Sequence, residues 1–277
     1  MKTILVTGDW QTGSQFGLYP RGFTNSANVL VNLNVAQEYL LTCYEHMIET
    51  LPPLDIVIFN GDIIDGCQPK SGGAFLCEQQ PDWQVLAALE LCKPLLNRVK
   101  PGGAVYCTEG TDYHDGLVGS EAELFARGVG ATRRPDKHYA WDWLRLRVDG
   151  VLLDVAHHLS GFQRYRSAAL DREIGFANEN ADWIDPPDAI FRSHTHSGWQ
   201  MLEMGLQVSV ALPAFEVQTQ YARRKAPNRF VSRYIGAALA NIDPAWRKMN
   251  QNPVQVIKLL YDHPKIGEAV YGEQAKS

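Results

Sequence analysis

Aspartate and histidine recur in this sequence just after short apolar runs, where such side chains can bind metal or move protons. Thr3–Thr7 empties into Gly8-Asp9-Trp10-Gln11, and Asp55–Phe59 into Gly61-Asp62-Ile63-Ile64-Asp65-Gly66. Ala104–Thr108 leads to Gly110-Thr111-Asp112-Tyr113-His114-Asp115-Gly116, Val151–Ala156 to His157-His158, and Ala189–Arg192 to Ser193-His194-Thr195-His196. Taken singly, an Asp after a strand is a turn former or helix cap, and a histidine pair is a surface feature or a satisfied core group. His-x-His is more specific, because alternate residues of an extended segment point the same way and can share one metal. Jointly the pattern gains weight. Five of the eight histidines fall in these loops, whereas His46, His138 and His263 lie elsewhere and read as structural or solvated. Imidazole with carboxylate favours Zn, Mn or Fe, and a carboxylate can bridge two ions. Two ions about 3.5–4 Å apart can clamp the attacking and leaving oxygens of an in-line displacement at phosphorus.

The elements that must position these loops are legible from periodicity. Continuous apolar runs bounded by turn signals suit strands buried on both faces. Val29, Leu33, Ala36, Leu40, Cys43 and Met47 recur at helical spacing, as do Val85, Leu89, Cys92 and Leu96, so the early chain reads βαβαβ. Ala140–Val148 alternates, with Leu144, Leu146 and Val148 on one face. It reads as one two-faced strand, turned by Asp149-Gly150 into Val151–Ala156. Trp199–Met204, Leu206–Leu212, Ile235–Ile242 and Val254–Tyr261 read as further strands, and Asp243-Pro244 as the capped start of a helix. Two mixed sheets packed together with helices outside accommodate all of this, and in such folds ligands gather at the carboxyl ends of the strands.

Composition narrows the class. The 277 residues are 45% hydrophobic and 21% charged, enough to bury a core, so disorder is excluded. With no repeat or linker, residues 1–277 read as a single domain. No apolar stretch approaches the roughly 18 residues of a membrane span, and Met1-Lys2 opens straight into a strand without a leader, so a cytoplasmic protein with no membrane partner is expected. Five unpaired-looking cysteines argue against a disulfide framework or a cysteine zinc site. The net charge of −5 argues against a protein that coats nucleic acid. It is unevenly spread, about −6 over residues 1–150 and +1 over residues 151–277, with a basic run at Arg223, Arg224, Lys225, Arg229 and Arg233.

The order Asp-x, Gly-Asp-x-x-Asp, Gly-Thr-acid-x-His, His, x-His-x-His resembles that of the calcineurin-like metallophosphoesterases, in particular their compact phage-type branch. The resemblance spans roughly residues 1–215, and Gly61–Asp65 with His194–His196 are its most specific parts. It implies a four-layer α/β/β/α sandwich of two mixed sheets, the metallo-dependent phosphatase fold, with a dinuclear centre between the sheets. Carried over by position, Asp9 and His196 bind the first metal, Asp62 bridges both, and His194 and His157 bind the second, with His158 the alternative to His157. Asp65 orients its neighbours, and His114 is the active-site histidine that meets the substrate phosphate or the leaving oxygen. The chain departs from the pattern at Gln11, where a ligating His is usual, at Ser193, which replaces a Gly, and in the third loop. There Asp112 is the expected oxygen ligand in place of an Asn, with Thr111 competing. An oxygen-rich site of this kind favours Mn²⁺, with Zn²⁺, Fe or Ni²⁺ as the other candidates.

The resulting expectation is a two-metal-dependent hydrolase of phosphate esters, tilted toward phosphodiesters such as nucleic acid or a cyclic nucleotide. The tilt rests on Arg164, Arg166 and Arg223 as phosphate-binding side chains. The alternatives are a phosphomonoesterase of the same fold, a degenerate binding or structural protein that keeps a partial metal site, and a metal-dependent amide hydrolase. If the protein is phage-encoded, its cytoplasm is the host's.

Overall fold

The computed structural model describes residues 1–159, 167–196, 198–219, 224 and 233–264. The run Lys2–Thr7 forms β1, at the centre of a six-stranded sheet. β2 (Leu54–Asn60) and β3 (Val99–Thr108) follow it in parallel, with the two-residue β4 (Ala140–Trp141) at that edge. On the other side β10 (Tyr234–Ile242) pairs antiparallel with β1, and β11 (Val254–Asp262) antiparallel with β10. The second sheet has the order β5-β6-β7-β9-β8. Its strands are β5 (Leu144–Val148), β6 (Val151–Val155), β7 (Ala189–Arg192), β8 (Gln200–Met204) and β9 (Gln207–Ala211). β6, β7 and β9 run parallel, while β5 and β8 are antiparallel edges.

Alternation along β1 and β2 explains why both read as unbroken apolar runs. Ile4, Val6, Ile56 and Ile58 point between the sheets, against Leu153, Val155, Phe191 and Val210. Leu5, Val57 and Phe59 point the other way, into a core with α1 (Val35–Thr50) and α2 (Pro81–Leu96). α3 (Ser120–Gly128) packs on α2 and β3, and α4 (Ser167–Glu179) covers β8 and β9 from outside. The result is the α/β/β/α sandwich of two mixed sheets that characterises the metallo-dependent phosphatase fold.

Three elements differ from the sequence reading. The segment 140–148 is not one strand. Ala140–Trp141 stays in the first sheet, where Trp141 stacks under Arg134 at 5.2 Å, whereas Leu144–Val148 opens the second sheet. Between them Trp143 Nε1 donates to Asp154 Oδ2 at 2.8 Å and holds the chain on β6. Alternation cannot reveal such a change of sheet, because both halves keep the same period. α1 begins at Val35 rather than near Val29. Asn34 accepts from the Ala36 and Gln37 amides, Gln37 returns a bond to the Asn34 amide, and Val29 is 56% exposed. Asp243 does act as a cap, accepting the Ala245 amide, but the segment it caps, Pro244–Met249, is a short 3-10 helix.

Edge-to-face aromatics tie the first loop to this core. Trp10 lies 5.2 Å from Tyr44 and 5.4 Å from Phe59, and Phe59 lies 5.1 Å from Phe125. Trp10 is fully buried between Asp9 and Gln11, so the packing that holds its ring also holds the two flanking side chains. Phe59→Ala is therefore expected to cost about 3–5 kcal/mol. A urea midpoint unchanged from the wild type would show that this cluster does not anchor the loop.

Candidate metal centre

The loops after β1 and β2 are laced together before any side chain is considered. The Asp9 amide donates to the Gly61 carbonyl at 3.0 Å, Gln11 to Asp62 at 3.2 Å and Thr12 to Ile63 at 2.9 Å, and the Asp65 amide returns to Thr12 at 3.0 Å. This tight course forces unusual backbone angles. Asp9, Gln11, Asp62, His194 and His196 all adopt left-handed φ, between 46° and 70°. Each such residue stores strain of about 1–3 kcal/mol, which persists where the surroundings over-determine it. Here the strained positions coincide with the residues singled out from the sequence. Gly110 meets the opposite demand: a Cβ there would lie 2.1 Å from Asp62 Oδ1, so only glycine lets the third loop close over that carboxylate.

Asn60, at the end of β2, joins the two sheets. Its Nδ2 donates to Ser193 Oγ at 2.7 Å and to the Ala156 carbonyl at 3.2 Å, while its Oδ1 accepts from Thr108 Oγ1 at 2.7 Å. Its carbonyl lies 2.8 Å from His157 Nδ1. That bond makes Nδ1 the protonated nitrogen and turns Nε2 toward the centre. Ser193, which stands where the resemblance has a Gly, is thus a cross-sheet acceptor.

Within this frame the ionisable side chains converge. Asp62 Oδ2 lies 3.0 Å from His157 Nε2, and Asp62, His157 and His194 present ligand atoms all within 4.8 Å of one another. Asp9 Oδ1 lies 3.0 Å from His196 Nε2 and 3.7 Å from His157 Nε2, and its Oδ2 accepts the His194 backbone amide at 3.0 Å. Among the described residues this is the one group of three or more His, Cys, Asp or Glu side chains with metal-ligand spacing. His157 Nε2 is buried and faces the Asp62 carboxylate at 3.0 Å. A cation between them satisfies both groups, so the donor set fits a divalent ion. His158 is exposed, with its ring 5.4 Å from that of His157, so the buried member of the pair is the one at the centre.

The charges answer to one another. Burial alone would raise Asp9 and Asp62, but the imidazolium charges of His196 and His157 outweigh it and hold both carboxyls low. Burial opposes protonation of His157, yet Asp62 and Asp9 lift it to about 9. His194 is the exposed member of the group; partial desolvation and the neighbouring His157 push it down to about 4. In the metal-free protein, protons therefore occupy part of the place that a cation would take.

The third loop contributes differently from its reading. Thr111 donates to Asp62 Oδ1 through its amide at 2.7 Å and its hydroxyl at 3.1 Å. Asp112 is exposed, while Asp115 is buried and accepts the Gly110 amide at 2.5 Å. Burial and the adjacent Asp62 push Asp115 up to about 7. Gln11 is buried beside Asp9, and its amide and carbonyl both serve the loop. Asp65 orients His114, whose Nδ1 lies 2.8 Å from the Asp65 carbonyl and 3.2 Å from Oδ1. Arg164, Arg166 and Arg223 lie outside the described residues.

Three partners were not singled out from the sequence. Glu216 is buried and lies 2.7 Å from His196 Nδ1. Asn60 and Gln84 are the others. The Gln84 carboxamide accepts from the Asp65 and Gly66 amides at 3.2 and 2.8 Å and donates to the Gly66 and Glu78 carbonyls at 2.9 and 2.7 Å. A Gln on the apolar stripe of α2 and a Glu amid apolar residues were the available signals, since such groups are seldom buried unpaired.

No family model matches this chain, and no curated protein matches it. Among solved structures it is similar to an archaeal phosphodiesterase, with 8% identity, 92% of this chain and 98% of that one covered, and a TM-score of 0.41. It is similar also to wild-type Vps29 of Entamoeba histolytica complexed with Zn²⁺ (11% identity, 87% and 86% covered, TM-score 0.40). A third is a conserved Streptococcus pneumoniae protein described as a phosphoesterase (12%, 87% and 83%, TM-score 0.39).

His114 generates a titration prediction. Burial disfavours its charged form, but the hydrogen bond to Asp65 and the charges of Asp62 and Asp65 raise it to about 9. In the metal-free protein a histidine NMR titration should find that midpoint, and Asp65→Asn should return it toward 6.5. Because the folded value exceeds the unfolded one, the associated stability is complete below about pH 6.5 and is lost as the pH rises through about 9. An unmoved midpoint in the Asp65→Asn protein would remove Asp65 as the partner.

Proposed function

We propose that this chain binds divalent metal through Asp9, Asp62, His157, His194 and His196 and hydrolyses phosphate esters, as a calcineurin-like metallophosphoesterase of the compact phage-type branch. The observation that carries the reading is the convergence of Asp62, His157 and His194, with His157 Nε2 buried against the Asp62 carboxylate. The Asp9–His196 pair beside them supports a second ion bridged by Asp62. The Thr111 hydroxyl adds an oxygen donor beside Asp62, and together with Gln11 at the position of the usual histidine in the sequence it supports Mn²⁺ over Zn²⁺. When bound, divalent ions supply Lewis-acid polarisation of a phosphoryl oxygen and lower the pKa of water.

The chain's own residues do the rest. Asp62 is held on Oδ1 by Thr111, which fixes the direction of Oδ2. Asp65 commits Nδ1 of His114, so a proton given to the leaving oxygen passes through Nε2. The preference for diesters, nucleic acid or a cyclic nucleotide, rests on the arginines of the sequence alone, and a monoesterase keeps the same site chemistry.

A second reading is favoured by a specific observation. Only one three-residue cluster occurs among the described residues, and Gln11 stands where a histidine ligand is usual. These features suit a binding or structural protein with a partial metal site. Metal stoichiometry separates the two, together with hydrolysis of bis-p-nitrophenyl phosphate, its monoester, cyclic nucleotides and DNA in the presence of Mn²⁺. Two ions and turnover support the enzyme; one ion or none without turnover supports the binding protein.

Two variants sharpen this. Asp62→Asn should lose at least one ion and all activity, since an amide cannot replace the charge of a bridging carboxylate; wild-type turnover would overturn the dinuclear reading. His114→Ala should keep its metal and lose roughly 10²–10⁴-fold in turnover on esters with poor leaving groups, and less on p-nitrophenyl esters. Loss of an ion would make His114 a ligand instead.

A further inference from the structure

We infer that Glu216 is a positioning residue for the ion held by Asp9 and His196: it selects the imidazole nitrogen offered to that ion and thereby sets its affinity. The inference rests on the metal reading above and extends it to a residue outside every motif of the sequence.

The His196 ring is gripped from both ends. Nδ1 lies 2.7 Å from Glu216 Oε2, and Nε2 lies 3.0 Å from Asp9 Oδ1. A carboxylate only accepts, so in the metal-free protein both ring nitrogens carry protons; if an ion replaced the proton of Nε2, the nitrogen turned toward Asp9 and the centre, Nδ1 would keep its own against Glu216. His157 is turned the same way by a different partner, the neutral carbonyl of Asn60. The two rings thus differ in what stands behind them: a peptide oxygen for one, a buried carboxylate for the other.

Glu216 is held by the metal loop itself. The Phe215 amide donates to the Asp9 carbonyl at 3.0 Å, and the Val217 amide to the Phe16 carbonyl at 2.9 Å. These two bonds bracket Glu216, which bridges Gly17 across the same contact. Gly17 in turn lets its own loop close on the peptide that follows Asp9. A Cβ there would fall 2.2 Å from the Gln11 carbonyl oxygen and 2.6 Å from that of Trp10. Glu216 is 7% exposed, so its carboxylate cannot turn out to water. The peptide that carries Asp9 therefore also fixes the group that orients the histidine opposite Asp9.

A purely structural role, in which Glu216 only balances charge in the core, makes a different prediction. Gln at this position keeps an oxygen to accept the Nδ1 proton but carries no charge, whereas Ala removes both. Calorimetric Zn²⁺ titration of the metal-free wild type, E216A and E216Q distinguishes them, with thermal unfolding of each metal-free protein as the control for folding. E216A should bind one ion roughly 10–100-fold more weakly, the usual effect of losing such an outer partner. E216Q should stay within a few-fold of the wild type. In ¹⁵N-histidine spectra of the zinc-loaded proteins, His196 should show a protonated Nδ1 and a metal-shifted Nε2 in wild type and E216Q, and lose that pattern in E216A. Should E216A fail to fold, E216M makes the same deletion with the side-chain volume kept. Wild-type affinity in the Ala or Met variant, or equal losses in these and E216Q, would overturn the proposal alone. A wild type that takes up no zinc would overturn the metal reading and this inference together.

Discussion

Two aspartates buried at the ends of adjacent parallel strands are the constraint on which the molecule turns. Asp9 and Asp62 are removed from water, and a buried carboxylate is tolerated only when it is paired and hydrogen-bonded. Neither finds its main partners within its own strand. Asp9 takes the backbone amide of His194 and the ring of His196, and Asp62 faces His157, all from the second sheet. The apolar layer between Ile4, Val6, Ile58 and Leu153, Val155, Phe191 holds the sheets together, but it is non-directional. The carboxylates, with Asn60 bonded across to Ser193 and Ala156, supply the directional contacts at the carboxyl ends of the strands.

The electrostatics arise from that arrangement. Acidic and imidazole groups crowd one region, buried at Asp9, Asp62 and His157 and open to solvent at His194, and each is displaced from its ordinary protonation by its neighbours rather than by burial alone. Asp9 and Asp62 are held low against their own desolvation, while His157 is held high against its own. A site of this kind is poised for a cation, because the protons now sharing it are readily exchanged for a charge that all of its members favour. The strained φ angles of Asp9, Gln11, Asp62, His194 and His196 belong to the same economy of space: sharp turns bring the two carboxylates and the histidines together, and the laced loop backbones sustain them.

Around this centre lies a layer of neutral and acidic groups with no catalytic look in the sequence. Gln84 threads four hydrogen bonds through the Asp65 loop, Asn60 fixes His157, and Glu216 grips His196. They come from a helix, a strand end and the segment after β9. Their common property is burial with bonds directed at the site loops, which keeps donor atoms in place without touching a reacting group.

The one-dimensional pattern determined a good deal. Unbroken apolar runs announced strands buried on both faces, and their abrupt endings in Asp and His identified the loops that meet, since strand ends and local composition are properties of contiguous residues. His-x-His marked its loop in the same way, but left-handed φ at both histidines makes the segment non-extended, so packing and not two-residue spacing aims His194 toward His157 and His196 toward Asp9. Tertiary structure decided what depends on distant residues. Ala140–Val148 divides between two sheets because Trp143 binds Asp154, a choice its alternation cannot express. His157 is preferred over His158 because the Asn60 carbonyl stands behind one ring and solvent lies beside the other. Thr111 rather than Asp112 reaches Asp62 because the loop closes over Gly110, and Glu216 meets His196 because the Phe215 and Val217 amides bind the Asp9 and Phe16 carbonyls, some 200 residues away in the chain. Periodicity reports which face a residue takes; only packing determines which side chain waits on that face.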